Sequence, residues 1–171
     1  MLPMTNRSKS PQGHRQQNPA FLLSQVGAHA AEVFAALLAP LKLTPAHSGI
    51  LWMLGRSGGL SQRQLGAAIK VHPSRLVAIL DELEDRGLVE RQSHASDRRL
   101  YALHLTNKGE VMLEKLRRTA QEHRKQICAG LSEAECNQLA DLLERIAARQ
   151  GLSPGVHPGY RWLGRKIAAR K

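Results

Sequence analysis

Aromatic residues make up only 4% of this 171-residue chain, which disfavours a fold dominated by β-sheet, while the abundance of Leu and Ala favours helices. Cysteine is nearly absent, with Cys128 and Cys136 alone, so a secreted disulfide framework is excluded. No apolar run of membrane-spanning length stands out, and the polar start does not read as a signal peptide. The expectation is a soluble cytoplasmic protein without membrane contact. Nucleophile elbow, phosphate loop and metal-ligand cluster are all missing, so neither an enzyme nor a cofactor or metal is expected.

Acidic residues are missing from both ends. Residues 1–19 carry Arg7, Lys9 and Arg15 with no acid, and residues 152–171 carry Arg161, Arg165, Lys166, Arg170 and Lys171 with none. Those eight charges account for most of the formal net charge of +11, leaving 17 basic and 14 acidic residues between them. A polyanionic partner is implied, but the argument must rest on where particular residues sit.

The length suits one domain. Residues 1–19 are polar and lack an apolar period, and read as a disordered basic arm. From Phe21, apolar residues recur at helical spacing up to Pro40. Thr44-Pro45 opens a second helix reaching Arg56, and Ser57-Gly58-Gly59 ends it. Ser61 and Gln64 form a capping box for a short third helix containing Leu65 and Ile69. After Lys70-Val71-His72, Pro73 starts a fourth helix, with Leu76, Ile79, Leu80 and Leu83 on one face and Gly87 at its exit. The period then shortens. Residues 88–92 read as a strand, Ser93 to Arg99 as a polar loop, and Tyr101, Leu103 and Leu105 as a returning strand. Thr106 caps a long helix to about Ala129, and Ser132 with Glu135 caps another to about Arg149. Gly151 to Gly159 breaks order, and residues 160–171 suit a short basic amphipathic helix, for which docking on the bundle of flanking helices, a second phosphate-binding arm and a disordered end are the three readings. The fold class expected is mainly α with a small antiparallel β-hairpin wing, as one domain over residues 20–151 followed by a basic tail, 152–171.

Helix, helix, turn, helix and hairpin over residues 44–105 compose a winged helix-turn-helix. The helix from Pro73 has an apolar back and an exposed start formed by Pro73, Ser74, Arg75, Val77 and Ala78. A helix of this kind fits the DNA major groove and reaches base edges with its first turns. Arg75 suits a bidentate contact to guanine, and Val77 and Ala78 suit thymine methyl groups. Arg98 and Arg99 at the hairpin suit a narrow minor groove, with Asp97 orienting a guanidinium. Gln62 and Arg63, at the start of the third helix, suit phosphate. A winged-helix module that binds protein instead of DNA is the competing reading.

Several of these features occur together in one known family. The Pro73-Ser74 helix start, the Leu83…Arg86-Gly87-Leu88-Val89…Arg91 exit, Asp97-Arg98-Arg99 and Leu105-Thr106…Gly109 make the stretch 43–109 resemble the MarR family of bacterial regulators. That resemblance implies a homodimer built on residues 20–40 and 107–149, a palindromic double-stranded DNA operator and a repressor released by a small, often aromatic, effector or by an oxidant. It also places the effector near the second helix, where His47, Trp52 and Met53 are candidates, with core packing the plainer reading of the last two. Many members carry Thr-Arg where Val77 and Ala78 stand, so more of the readout falls on Arg75 and on groove shape. The two cysteines read as structural or inert thiols, because no Lys-His cluster flanks either.

Overall fold

The computed structural model describes residues 18–94 and 97–157. Helix α1 (Pro19–Leu38) starts two residues earlier than the apolar period indicates, because Asn18 accepts a hydrogen bond from the Ala20 N–H and Pro19 occupies the first turn. The expected arm therefore loses Pro19 to the helix and Asn18 to its cap; the rest of it lies outside the described residues. A 3-10 turn, Ala39–Leu41, accommodates Pro40 and ends at Lys42 with φ of 53°.

Helices α2 (Pro45–Arg56), α3 (Gln62–Ile69) and α4 (Pro73–Asp85) match the expected spans. The Ser61–Gln64 box caps α3, with the two side chains satisfying N–H groups reciprocally. At the exit of α4, Gly87 takes φ of 64°. Its N–H reaches Glu84 O and the Leu88 N–H reaches Leu83 O at 2.9 Å, which is a Schellman closure with Leu83 and Leu88 buried together.

The sheet differs from the expected hairpin in two ways. It has three antiparallel strands in the order β1-β3-β2, where β1 is Leu60–Ser61, β2 is Val89–His94 and β3 is Asp97–Leu105. Leu60 pairs with Leu103, and Arg91 pairs with Leu103 from the other side. A two-residue strand shows no alternation, so β1 leaves no pattern to read. The expected polar loop Ser93 to Arg99 is mostly strand. Backbone pairing extends past the last buried residues because ladder hydrogen bonds do not need apolar side chains.

Helix α5 (Asn107–Ile127) is capped by Thr106, whose hydroxyl accepts from the Gly109 N–H and donates to Gly87 O at 2.6 Å. Helix α6 (Glu133–Arg149) follows the Ser132–Glu135 box. The core gathers Leu38 of α1, Leu51 of α2, Leu65 of α3, Leu76, Leu80 and Leu83 of α4, Leu103 of β3, and Leu113 and Leu116 of α5.

Gly109 shows how tightly α5 meets the exit of α4. A Cβ there would lie 2.0 Å from the Leu88 carbonyl oxygen. Gly109→Ala is expected to destabilise the domain by about 1–3 kcal/mol, the usual cost of overpacking, measured as a lower urea midpoint.

Two helices leave apolar faces uncovered. On α1, Phe21, Leu22, Leu23 and Val26 are exposed, and on α6 no residue is buried while Leu139, Leu142, Leu143 and Ile146 are exposed. The expectation of no span-length apolar run needs correction. Pro19–Leu41, 23 residues containing an 18-residue window of mean hydropathy 1.5, is long and apolar enough to cross a membrane by length and composition. Ser24, Gln25, His29 and Glu32 break the run into short apolar stretches in the sequence, and the average stays high because Leu, Val, Phe and Ala fill nearly all the other positions.

Candidate nucleic-acid interface

Helix α4 divides along its length. Leu76, Ile79, Leu80 and Leu83 are buried against the core, whereas Pro73, Ser74, Val77 and Ala78 are exposed and Arg75 is half-buried. Among the described α-helices, α4 alone lacks a side-chain cap. Its first turn therefore keeps the partial positive charge of a helix start with no capping side chain on it, the Arg75 N–H turning back to His72 O at 3.0 Å, as suits a nearby anion. The His72 ring nitrogen Nδ1 lies 2.9 Å from Ser74 Oγ and orients that hydroxyl.

The neighbouring surface is basic. Arg63 is exposed and Gln62 half-buried at the start of α3, and Lys70 and His72 are exposed in the turn before α4. Sequence reasoning passed over Lys70 and His72 as turn residues. Their signal was available: a cation and an imidazole between two helices of this motif face whatever the second helix faces.

The other end of α4 is held by charge. Arg91 of β2 donates to Asp81 Oδ1 at 2.9 Å and pairs with the Glu84 carboxylate. Strand and helix are thereby joined, and two acids are kept occupied away from the exposed basic start. Arg86 donates to Lys42 O at 2.7 Å and Leu41 O at 3.0 Å, while Lys108 donates to Arg86 O at 2.7 Å. These bonds fix the direction in which α4 leaves the core.

His47 is a strut. Its Nδ1 accepts from the Thr44 N–H at 3.2 Å and completes a capping box on α2. That bond fixes the proton on Nε2, which donates to Glu82 Oε2 of α4 at 3.0 Å. The residue is 5% exposed, and burial holds its pKa below the ordinary 6.5 despite the Glu82 carboxylate. Because the folded value is lowered, the stability contributed by neutral His47 is complete above about 6.5 and is lost as pH falls through and below it. Thermal stability is expected to drop between about pH 7.5 and about pH 5, with a shallower drop in His47→Gln.

The wing is described through its backbone. Asp97, Arg98 and Arg99 begin β3 rather than standing in the expected loop; their side chains lie outside the described residues, as do residues 158–171 of the basic tail.

The candidate effector residues separate from the cavity. His47 is taken up by its cap, and Trp52 and Met53 are half-buried against the core. The cavity, about 800 Å³, lies instead between α1, α5 and the start of α2, lined by Ala30, Glu32, Phe34, Pro45, Ala120 and His123 among others. His123 donates to Ala30 O at 2.8 Å and its ring lies 5.2 Å from that of Phe34. A volume of this size suits a small organic molecule. The apolar period on residues 21–38 pointed to a partner surface, not to a hollow beneath it.

Comparison with known proteins matches this arrangement. The model of the MarR family matches residues 41–100, the stretch from the turn before α2 to the start of β3. A Thauera aromatica protein assigned as a transcriptional regulatory protein for the hcr operon is 33% identical over 112 residues, covering 66% of this chain and 68% of that protein. The transcriptional repressor CouR, solved bound to a 23-mer DNA duplex, is 30% identical with a TM-score of 0.68, covering 82% of this chain and 99% of CouR. A Mycobacterium tuberculosis MarR family protein, Rv2887, solved with p-aminosalicylic acid, is 27% identical with a TM-score of 0.63, covering 77% and 99%. Identity, coverage and a shared winged fold agree with the motifs around α4, and the chain belongs to the MarR family of transcriptional regulators.

Proposed function

We propose that this regulator binds a palindromic DNA operator as a homodimer and represses transcription until a small aromatic effector releases it. The observation that carries the reading is α4 itself, an apolar-backed helix whose uncapped start presents Ser74, Arg75, Val77 and Ala78. In the major groove, Arg75 pairs with guanine, Val77 and Ala78 meet thymine methyl groups, and Pro73 sets the helix start. Gln62 and Arg63 hold phosphate, and Arg98 and Arg99, oriented by Asp97, enter the minor groove. CouR bound to DNA supports this reading. So does Rv2887, solved separately with DNA. The exposed apolar faces of α1 and α6 form the dimer, and two-fold symmetry places two α4 helices about one DNA turn apart. A protein with this partner works in the cytoplasm.

Fluorescence anisotropy with DNA from upstream of its own gene, against an unrelated duplex, tests the reading. At physiological salt the upstream DNA is expected to bind at least about 1,000-fold more tightly. Equal affinity for the two duplexes contradicts it.

The effector is placed in the α1–α5 cavity, and the Rv2887 complex with p-aminosalicylic acid supports a small aromatic ligand. Ala120→Trp fills that space. The variant is expected to bind operator like the wild type and to lose most of the effector-induced release, read in the same anisotropy titration.

A further inference from the structure

Helix α6 buries no residue of its own, yet the chain comes back to the body of the domain directly after it. The Gly151 N–H reaches Ala148 O at 3.1 Å and the Leu152 N–H reaches Ala147 O at 3.0 Å, closing α6 with Gly151 at φ of 65°. A tight turn follows, with the Val156 N–H on Ser153 O at 3.2 Å and Gly155 at φ of 70°. This turn abuts α2, since a Cβ on Gly155 would lie 3.4 Å from Arg56 Nη1. Two residues later, His157 lines the α1–α5 cavity together with Pro45 and Ala120.

What comes next in the sequence suits that cavity. The stretch Pro158-Gly159-Tyr160-Arg161-Trp162-Leu163 holds one of the chain's two tyrosines and one of its two tryptophans. At roughly 3.3 Å per residue, Tyr160 stands within about 10 Å of His157 and Trp162 within about 17 Å, so both rings can reach the cavity. The wall leaves them room, because Gly27, Ala30, Ala31, Ala35 and Ala120 carry a methyl group or less. Charge matches as well. Glu32 is the one acid of α1, which has no Lys or Arg, and it lines the cavity; residues 158–171 carry Arg161, Arg165, Lys166, Arg170 and Lys171 and no acid.

We propose that the segment Tyr160 to Leu163 is a tethered occupant of the α1–α5 cavity of its own chain, with the Tyr160 and Trp162 rings between α1 and α5 and Arg161 at the rim beside Glu32. Alternation along an extended chain sends the two rings to one side and Arg161 to the other. A tether this short holds the segment at an effective concentration of about 1 mM. A segment that binds at about 0.1 mM as a free peptide is then roughly nine-tenths docked, and any competitor is weakened about tenfold. The occupancy itself needs no effector. Its consequence, that an incoming aromatic effector must displace the tail, rests on the effector placement proposed above.

The test uses the full-length chain carrying Trp52→Phe, in which Trp162 is the sole tryptophan. Its emission is expected to be blue-shifted, with acrylamide quenching at least about fivefold weaker than that of N-acetyltryptophanamide. Adding Ala120→Phe, which fills the cavity, should red-shift the emission and restore quenching. If Trp52→Phe lowers stability, the wild-type spectrum minus that of Trp162→Phe reads the same signal. The dye anilinonaphthalene sulfonate probes the cavity directly. It should bind about tenfold more tightly to the full-length double variant Tyr160→Ala, Trp162→Ala than to the wild type, a gain that Ala120→Phe abolishes. The dye reports the cavity without any effector, so failure here is distinct from failure of the effector reading. Trp162 quenched as freely as the model compound, protection indifferent to Ala120→Phe, protection lost on dilution (which would seat a second copy there), or equal dye affinity would each overturn the proposal.

Discussion

Replacing Arg75 by alanine is expected to weaken operator binding by about 1–3 kcal/mol, roughly 5- to 150-fold, and to relax base preference at one position of each half-site. The size follows from the composition of the α4 start. Pro73, Ser74, Val77 and Ala78 offer short or apolar side chains there, so Arg75 is the only side chain among them able to donate two hydrogen bonds to guanine. Its side chain is already partly packed on the protein, which lowers the entropy lost on docking. Affinity for an unrelated duplex should fall much less, because phosphate contacts carry that binding. Arg63→Ala is expected to behave oppositely, weakening both duplexes alike and reducing the salt slope by about 1. Titration of each variant against both duplexes at several salt concentrations separates the two roles.

Glutamates at Leu142 and Ile146 together are expected to convert the protein to a monomer and to lower operator affinity by more than about 100-fold. Both side chains lie one helical turn apart on α6 and are 45% and 46% exposed in the single chain. Fully burying a large aliphatic side chain contributes about 1.5–3 kcal/mol, and a carboxylate placed there must instead be desolvated without a partner. A monomer engages one half-site, losing the effective concentration that joins the second. Since no residue of α6 is buried within the chain, the circular dichroism of the variant should stay like that of the wild type. A folded dimer in sedimentation would show that α6 does not form the contact.

The parts of this fold legible beforehand are those with local causes. Thr44, Ser61, Thr106 and Ser132 announce four helix starts because a capping hydroxyl acts within three residues. The stripe Leu76, Ile79, Leu80, Leu83 announces the buried side of α4 in the same way, and with it the exposed side. What stayed hidden depends on distant pairs. His47 bonds Glu82 across 35 positions, and Arg86 reaches Leu41 across 45; neither separation carries a period. His47 therefore reads as an effector candidate until the fold brings Glu82 to it. Strand β1 needs β3 to exist at all. The wing was misjudged for a related reason, since polar residues were read as loop where backbone pairing alone makes strand.

Methylation interference on the upstream DNA tests the central claim most directly, because methyl groups at guanine N7 obstruct the major groove and those at adenine N3 the minor. A symmetric homodimer reading through α4 predicts two clusters of guanine interference about one helical turn apart, flanked by adenine interference under the wings. In Arg75→Ala, the same guanine should drop out of both clusters. Uniform binding to all methylated fragments, or one unpaired cluster unchanged by Arg75→Ala, would contradict the account.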